Sequence, residues 1–199
     1  MLVTGKYILK RAYKKGYAVG AFNINNMEIC QAVINAANTL KSPVLLQTSE
    51  GAIKYAGLDY LYAIARVASD TAKVPVTIHL DHGKDWKIIK ACINKGYTSV
   101  MFDGSHYKFK ENVRLTKRVV EYAHKKGVSV EAELGTIGGV EDLVSARKII
   151  YTDPDAAVEF VEKQAVTAWP LPSVPVMART SLRARQSWTS KGYKLSTGN

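Results

Sequence analysis

The chain has 199 residues, 47% of them hydrophobic and 23% charged, which suits an ordinary globular protein with one core or two small ones. No run of about 18 apolar residues could span a membrane, and Met1-Leu2-Val3-Thr4-Gly5-Lys6 lacks a signal peptide's apolar core, so a cytoplasmic protein without membrane attachment is expected. The net charge of +11 invites a nucleic-acid partner, but residues 164–199 hold five of the 28 basic residues and none of the 17 acids, and the remaining lysines are interleaved along helical faces; a basic surface for phosphorylated metabolites fits better.

In chain order, residues 4–15 have Tyr7, Ile8 and Ala12 spaced for one buried helix face. Residues 17–22 read as a strand ending at Asn23, and a helix follows from Met27 to about Leu40. Ser42-Pro43 breaks it, and 44–47 form the next strand, ending in Thr48-Ser49-Glu50-Gly51. A helix over about 58–72 precedes the apolar strand 74–80, which closes abruptly in Asp81-His82-Gly83. Then come a helix over 85–94, a strand over 99–102 ending at Asp103-Gly104-Ser105, a helix over about 109–125 and a strand over 128–134. After a glycine-bearing loop, Thr152-Asp153-Pro154 provides a helix start with proline at the first position, and that helix reaches about Lys163. Cys30 and Cys92 lie in helical segments without metal spacing and read as reduced core residues.

Five strands alternating with helices give the rhythm of a parallel α/β sheet, either doubly wound or a (β/α)8 barrel. No Gly-rich phosphate loop follows the first strand, which weakens the dinucleotide-binding option. Every strand delivers polar groups at its C-terminal end: Asn23, Ser49, Asp81 with His82, Asp103, and Glu133. A barrel collects such groups from all strands, so a partial barrel is the preferred architecture.

If those ends converge, they offer one imidazole and several carboxylates to a single site. Zinc accepts His nitrogen and Asp or Glu oxygen, and a nearby unliganded acid such as Asp81 could move protons. The same residues also read as a surface turn, with Asp81 a helix cap and His79 and His82 core or cap residues. Spacing alone leaves both open.

Ala21-Phe22-Asn23, Gln47-Thr48-Ser49, His79-Leu80-Asp81-His82-Gly83, Met101-Phe102-Asp103-Gly104-Ser105-His106 and Glu131-Ala132-Glu133-Leu134-Gly135 together resemble the class II, metal-dependent fructose-1,6-bisphosphate aldolases. The resemblance covers residues 1–163. It implies a (β/α)8 barrel and a glycolytic lyase that cleaves fructose 1,6-bisphosphate to dihydroxyacetone phosphate and glyceraldehyde 3-phosphate. Zn2+ would polarise the ketone, the substrate would be a phosphorylated sugar, and the intact family would form homo-oligomers. By position it implies Asp81 as proton donor to the C4 oxygen, His82 as a catalytic-zinc ligand, and Asp103 and Glu133 as ligands of a second metal position. It further implies substrate contacts at Asn23 and Ser49, and a loop acid that exchanges the substrate proton at Glu141. Tagatose-bisphosphate aldolases of the same family share these motifs, and a non-catalytic remnant is a further alternative.

After Lys163 the resemblance fails. The family continues with a Ser-His-Gly motif and a later His-Gly-Gly-Ser-Gly segment that carry its other zinc histidines. This chain has no histidine after His124 and places prolines at 170, 172 and 175. A shifted reading frame near the Lys163 codon would account for this, with a natural alternative terminus as the second reading: Trp169-Pro170, Met177-Ala178 and Trp188-Thr189 force Ala, Gly and Asp where a family-like continuation has them. Residues 1–163 are therefore expected to form five of eight βα units. Residues 164–199 are expected to be an irregular, non-native tail that cannot close the barrel's gap by strand pairing, leaving the enzyme impaired or inactive.

Overall fold

The computed structural model describes residues 1–134 in full. Beyond them it describes the backbone of 139–141, 144–146 and 176–177, and Ala156, Glu159, Phe160, Glu162 and Lys163.

Helix α1 (Gly5–Lys15) starts where the Thr4 hydroxyl accepts from the Tyr7 N–H, and it buries Ile8 and Ala12. It ends at Gly16 in the left-handed region (φ 68°), and the Tyr17 N–H donates back to Ala12 O at 3.1 Å. That closing bond takes Tyr17 into the helix end, so strand β1 (Gly20–Asn23) begins three residues later than the apolar run suggests. Helix α2 (Met27–Leu40) is capped by Asn26, whose side-chain oxygen accepts from the Ile29 N–H at 2.9 Å.

Strand β2 (Val44–Ser49) leads directly into α3 (Glu50–Ala56), where a loop was expected. The Ser49 hydroxyl accepts from the Ala52 N–H and starts this extra helix. Next come α4 (Leu58–Thr71) and β3 (Val76–Gly83). Strand β3 starts after Pro75, which has no N–H for the ladder, and runs three residues past Leu80. Helix α5 (Trp86–Lys95) is capped by Asp85, and β4 (Ser99–Phe102), α6 (Phe109–His124) and β5 (Ser129–Glu133) follow. Part of the expected glycine-bearing loop is an antiparallel hairpin, β6 (Gly139–Glu141) with β7 (Val144–Ala146). Ala156, Glu159, Phe160, Glu162 and Lys163 are helical, as expected, while the Asp153-Pro154 start lies outside the described residues.

The tail needs a correction. Val176–Met177 form a short strand, β8, that pairs in parallel with Ala132 and Glu133 of β5. The three prolines all precede it, and a two-residue edge strand asks little of the ladder, so this much of the tail joins the sheet.

The sheet order is β1-β2-β3-β4-β5-β8, every neighbouring pair parallel. Spatial order equals sequence order, with none of the reversal that defines a doubly wound sheet, so the strands form the arc of a partial (β/α)8 barrel. Alternation divides each strand between two faces. Leu46, Ile78, Leu80, Val100, Phe102, Val130 and Ala132 belong to the apolar core shared with the helices, together with Cys30, Ile34, Ile89, Cys92 and Val120. Ile78 and Leu80 are fully buried, each contributing about 1.5–3 kcal/mol by removal from water. The other face is polar yet still buried, carrying Gln47, Ser49, His79, Ser99, Asp103, Glu131 and Glu133.

Candidate metal centre

Side chains on one face of a strand recur every second residue, so an unbroken β3 would send Asp81 and His82 to opposite faces. It is not unbroken. The β3–β4 register runs His79↔Ser99 and Leu80↔Val100, then shifts to Gly83↔Phe102. His82 occupies the left-handed region at φ 48°, an uncommon conformation for a non-glycine residue. A bulge here swings the imidazole towards the same rim as its neighbour, the use to which active sites commonly put such irregularities. Gly83 makes the bulge fit. A Cβ at that position would lie 2.8 Å from the Met101 carbonyl oxygen and 2.9 Å from Ile89 Cγ1.

His82 Nδ1 lies 3.3 Å from Asp103 Oδ2 and 3.4 Å from Glu133 Oε2. One nitrogen and two carboxylate oxygens thus fall within 4.8 Å of one another, supplied by the ends of β3, β4 and β5. Asp103 is fully buried, and its Oδ1 accepts from the Ser105 N–H and hydroxyl at 3.1 and 2.6 Å. Glu133 is buried too, but its Oε2 receives no hydrogen bond. The hydrogen bond to Asp103, and then the Glu133 carboxylate close beside Nδ1, push the His82 imidazole up to about 10 against the opposing effect of burial. Burial alone would raise the Asp103 carboxyl, but His82, Ser105 and the Lys84 charge outweigh it and hold it below the usual carboxylate range.

A buried acid oxygen without a donor, facing an imidazole nitrogen and a second carboxylate, is a donor set suited to a divalent cation. Three protein ligands with N/O chemistry match what zinc takes at a site that keeps an open position.

Asp81 sits beside this cluster, and its charge helps to raise the His82 imidazole. Its two oxygens each accept one amide: Asn23 Nδ2 donates to Oδ2 and Gln47 Nε2 to Oδ1, both at 2.9 Å. Asn23 and Gln47 are register partners on β1 and β2, so three consecutive strands fix one carboxylate. The structure therefore gathers His82, Asp103 and Glu133, and separately ties Asp81 to Asn23. Ser49 lies opposite Asp81 in the ladder, with its hydroxyl occupied as the α3 cap. Glu141 ends β6, and its side chain lies outside the described residues.

Gln47 and Lys84 carry no assigned site role in the sequence, and His79, read there as a core or cap residue, is buried. Gln47 and His79 stand two positions before Ser49 and Asp81, on the same faces, and that spacing alone could have singled them out. His79 is fully buried, its Nδ1 2.9 Å from Ser99 Oγ and its Nε2 3.8 Å from Glu131.

The family profile described as fructose-bisphosphate aldolase class-II matches residues 3–169. The chain belongs to the class II fructose-bisphosphate aldolase family. A fructose-bisphosphate aldolase of Staphylococcus aureus (strain N315) is 49% identical over 172 residues, covering 84% of this chain and 59% of that protein. One from Giardia intestinalis is 49% identical over 168 residues, covering 84% of this chain and 52% of its own length. Among solved structures, the YdjI aldolase from Escherichia coli K12 superposes with a TM-score of 0.73 at 37% identity, covering 82% of this chain and 57% of that one. A putative fructose-1,6-biphosphate aldolase from Coccidioides immitis gives 0.74 at 36% identity, covering 80% of this chain and 57% of that one. The chain thus spans somewhat over half the length of these relatives. Membership of a metal-dependent family implies a divalent cation, and the His82, Asp103 and Glu133 cluster is where the donor chemistry would accept one. No helix among the described residues is long and apolar enough to cross a membrane.

Proposed function

We propose that the chain carries the metal-binding and proton-transfer half of a zinc-dependent aldolase acting on a phosphorylated ketose, fructose 1,6-bisphosphate first. The observation that supports this best is the convergence of His82 Nδ1, Asp103 Oδ2 and Glu133 Oε2, the last a buried oxygen that no hydrogen bond satisfies. These three residues would hold Zn2+, which when bound supplies a Lewis acid for the ketone oxygen. Asp81, kept in one orientation by Asn23 and Gln47, would pass a proton to and from the C4 oxygen. Asn23 and Ser49, at the same rim, would contact the substrate, and Glu141 would exchange the substrate proton from the β6–β7 hairpin. The proposed setting is the cytoplasm.

Calorimetric titration of Zn2+ into metal-free protein tests the reading. Saturable binding is expected, weakened at least tenfold by His82→Ala and by Glu133→Gln. Binding unaffected by either substitution would remove the centre assigned here. An aldol-cleavage assay with added zinc, with and without chelator, then separates a catalytic chain from one that only retains metal and phosphosugar contacts.

We also infer that residues 164–199 arise from a shifted frame. The family match ending at residue 169 supports this, as does a tail without acids or histidines. Genomic sequence around the Lys163 codon is the direct test, and a frame that reads through unchanged would overturn it.

A further inference from the structure

Lys84 follows the bulge directly and reaches back into the centre. Its ammonium lies 3.6 Å from Asp103 Oδ2, the same oxygen that faces His82 Nδ1, and its side chain is only 31% exposed. The backbone that carries it is held on every side. Glu50 Oε1 accepts from the Lys84 N–H at 2.7 Å and from the Asp85 N–H at 2.8 Å. Asp85 then caps α5 by accepting from the Lys87 N–H, and Gly83 is pressed against the Met101 carbonyl. With its backbone held by these bonds, Lys84 directs its ammonium at Asp103.

The consequence is competition between cations for one oxygen. Asp103 and Glu133 bring two formal negative charges, and Lys84 already neutralises one of them. A divalent ion seated among His82, Asp103 and Glu133 must separate the ammonium from Oδ2 or share that oxygen with it at close range, where like charges repel. Both lower the ion's affinity. We propose that Lys84 is a built-in rival cation that weakens divalent-metal binding at the His82–Asp103–Glu133 centre and occupies Asp103 whenever the ion leaves. The proposal rests on the metal-centre reading above and concerns a residue outside the three ligands.

The test is calorimetric titration of Zn2+ into the full metal-free chain and into Lys84→Met, which keeps the stem and removes the charge. Each titration is paired with the zinc-induced shift in thermal midpoint, and circular dichroism confirms that the variant folds. Lys84→Met is expected to bind Zn2+ at least tenfold more tightly, a gain of about 1.4 kcal/mol, with a correspondingly larger thermal shift. Lys84→Arg, which keeps the charge, should stay near the parent. Raised salt should narrow the gap between parent and Lys84→Met by screening the ammonium. Equal or weaker binding by Lys84→Met, with binding in both chains weakened at least tenfold by His82→Ala, would overturn the role of Lys84 and leave the metal centre standing. No saturable binding by either chain would overturn both.

Discussion

At the scale of single residues, the site depends on one backbone irregularity. Gly83 packs where a methyl group would meet Met101 O at 2.8 Å and Leu80 Cδ2 at 2.7 Å, and the backbone oxygen cannot yield as a side chain could. Gly83→Ala is therefore expected to cost about 1–3 kcal/mol of stability, read as a lower denaturant midpoint, and to weaken zinc binding by displacing His82. A variant with the parent's midpoint and zinc affinity would mean that the bulge does not fix the imidazole. Asp81, His82, Asp103 and Glu133 could be picked out from sequence because each ends an apolar run in a polar group. Their meeting on one rim followed from the strand ends, but the close approach of the imidazole to the carboxylates did not. Strict alternation sets Asp81 and His82 apart, and only the turn of the backbone at φ 48° brings the imidazole round. Lys84 was hidden for the same reason, since its reach to Asp103 depends on where the bulge aims the chain.

At the scale of elements, the βα rhythm was readable because buried parallel strands are apolar runs and their helices carry caps. The misses fall where a cap competes with a run. Tyr17 looks like strand but closes α1, and Ser49-Glu50 looks like loop but opens α3. Helix packing yields its own expectation. Cys30 of α2 and Cys92 of α5 are free and buried in the core. Burial pushes the Cys30 thiol up to about 11 and, with a smaller push from the Glu50 charge, Cys92 to about 12. At pH 8 both remain protonated and shielded, so a thiol reagent should leave the native protein unmodified and react fully only in denaturant. Rapid labelling of either cysteine in native buffer would show that α2 or α5 does not pack as described.

At the scale of the molecule, the arc formed by the described residues is open. Among the described residues β1 has a strand neighbour on one side only, and Ala21, Phe22 and Asn23 are exposed, with Phe22 at 50%. An unpaired edge of this kind templates association. The purified 199-residue chain is expected to elute as a heterogeneous, concentration-dependent species. It is also expected to cleave fructose 1,6-bisphosphate far more slowly than the ~10 s⁻¹ of a typical enzyme. Restoring the family's C-terminal segment in frame should recover zinc-dependent cleavage. A monodisperse 199-residue chain turning over at about that typical rate would refute the picture of an impaired remnant. The partial barrel was legible from strand spacing and polar strand ends. The β8 pairing was not, because two residues carry no period from which a strand could be read.

The sequential strand order also bears on how the protein is made. From β1 to β5, each strand finds its partner only 19 to 32 residues earlier in the chain. Every pairing closes a short loop, and none has to wait for a distant segment to be translated. The arc can therefore assemble one unit at a time, each strand pairing with the one made just before it. Pulsed hydrogen exchange during refolding should accordingly show β2 and β3 protected no later than β5, and protection that begins at β5 would exclude this order of assembly.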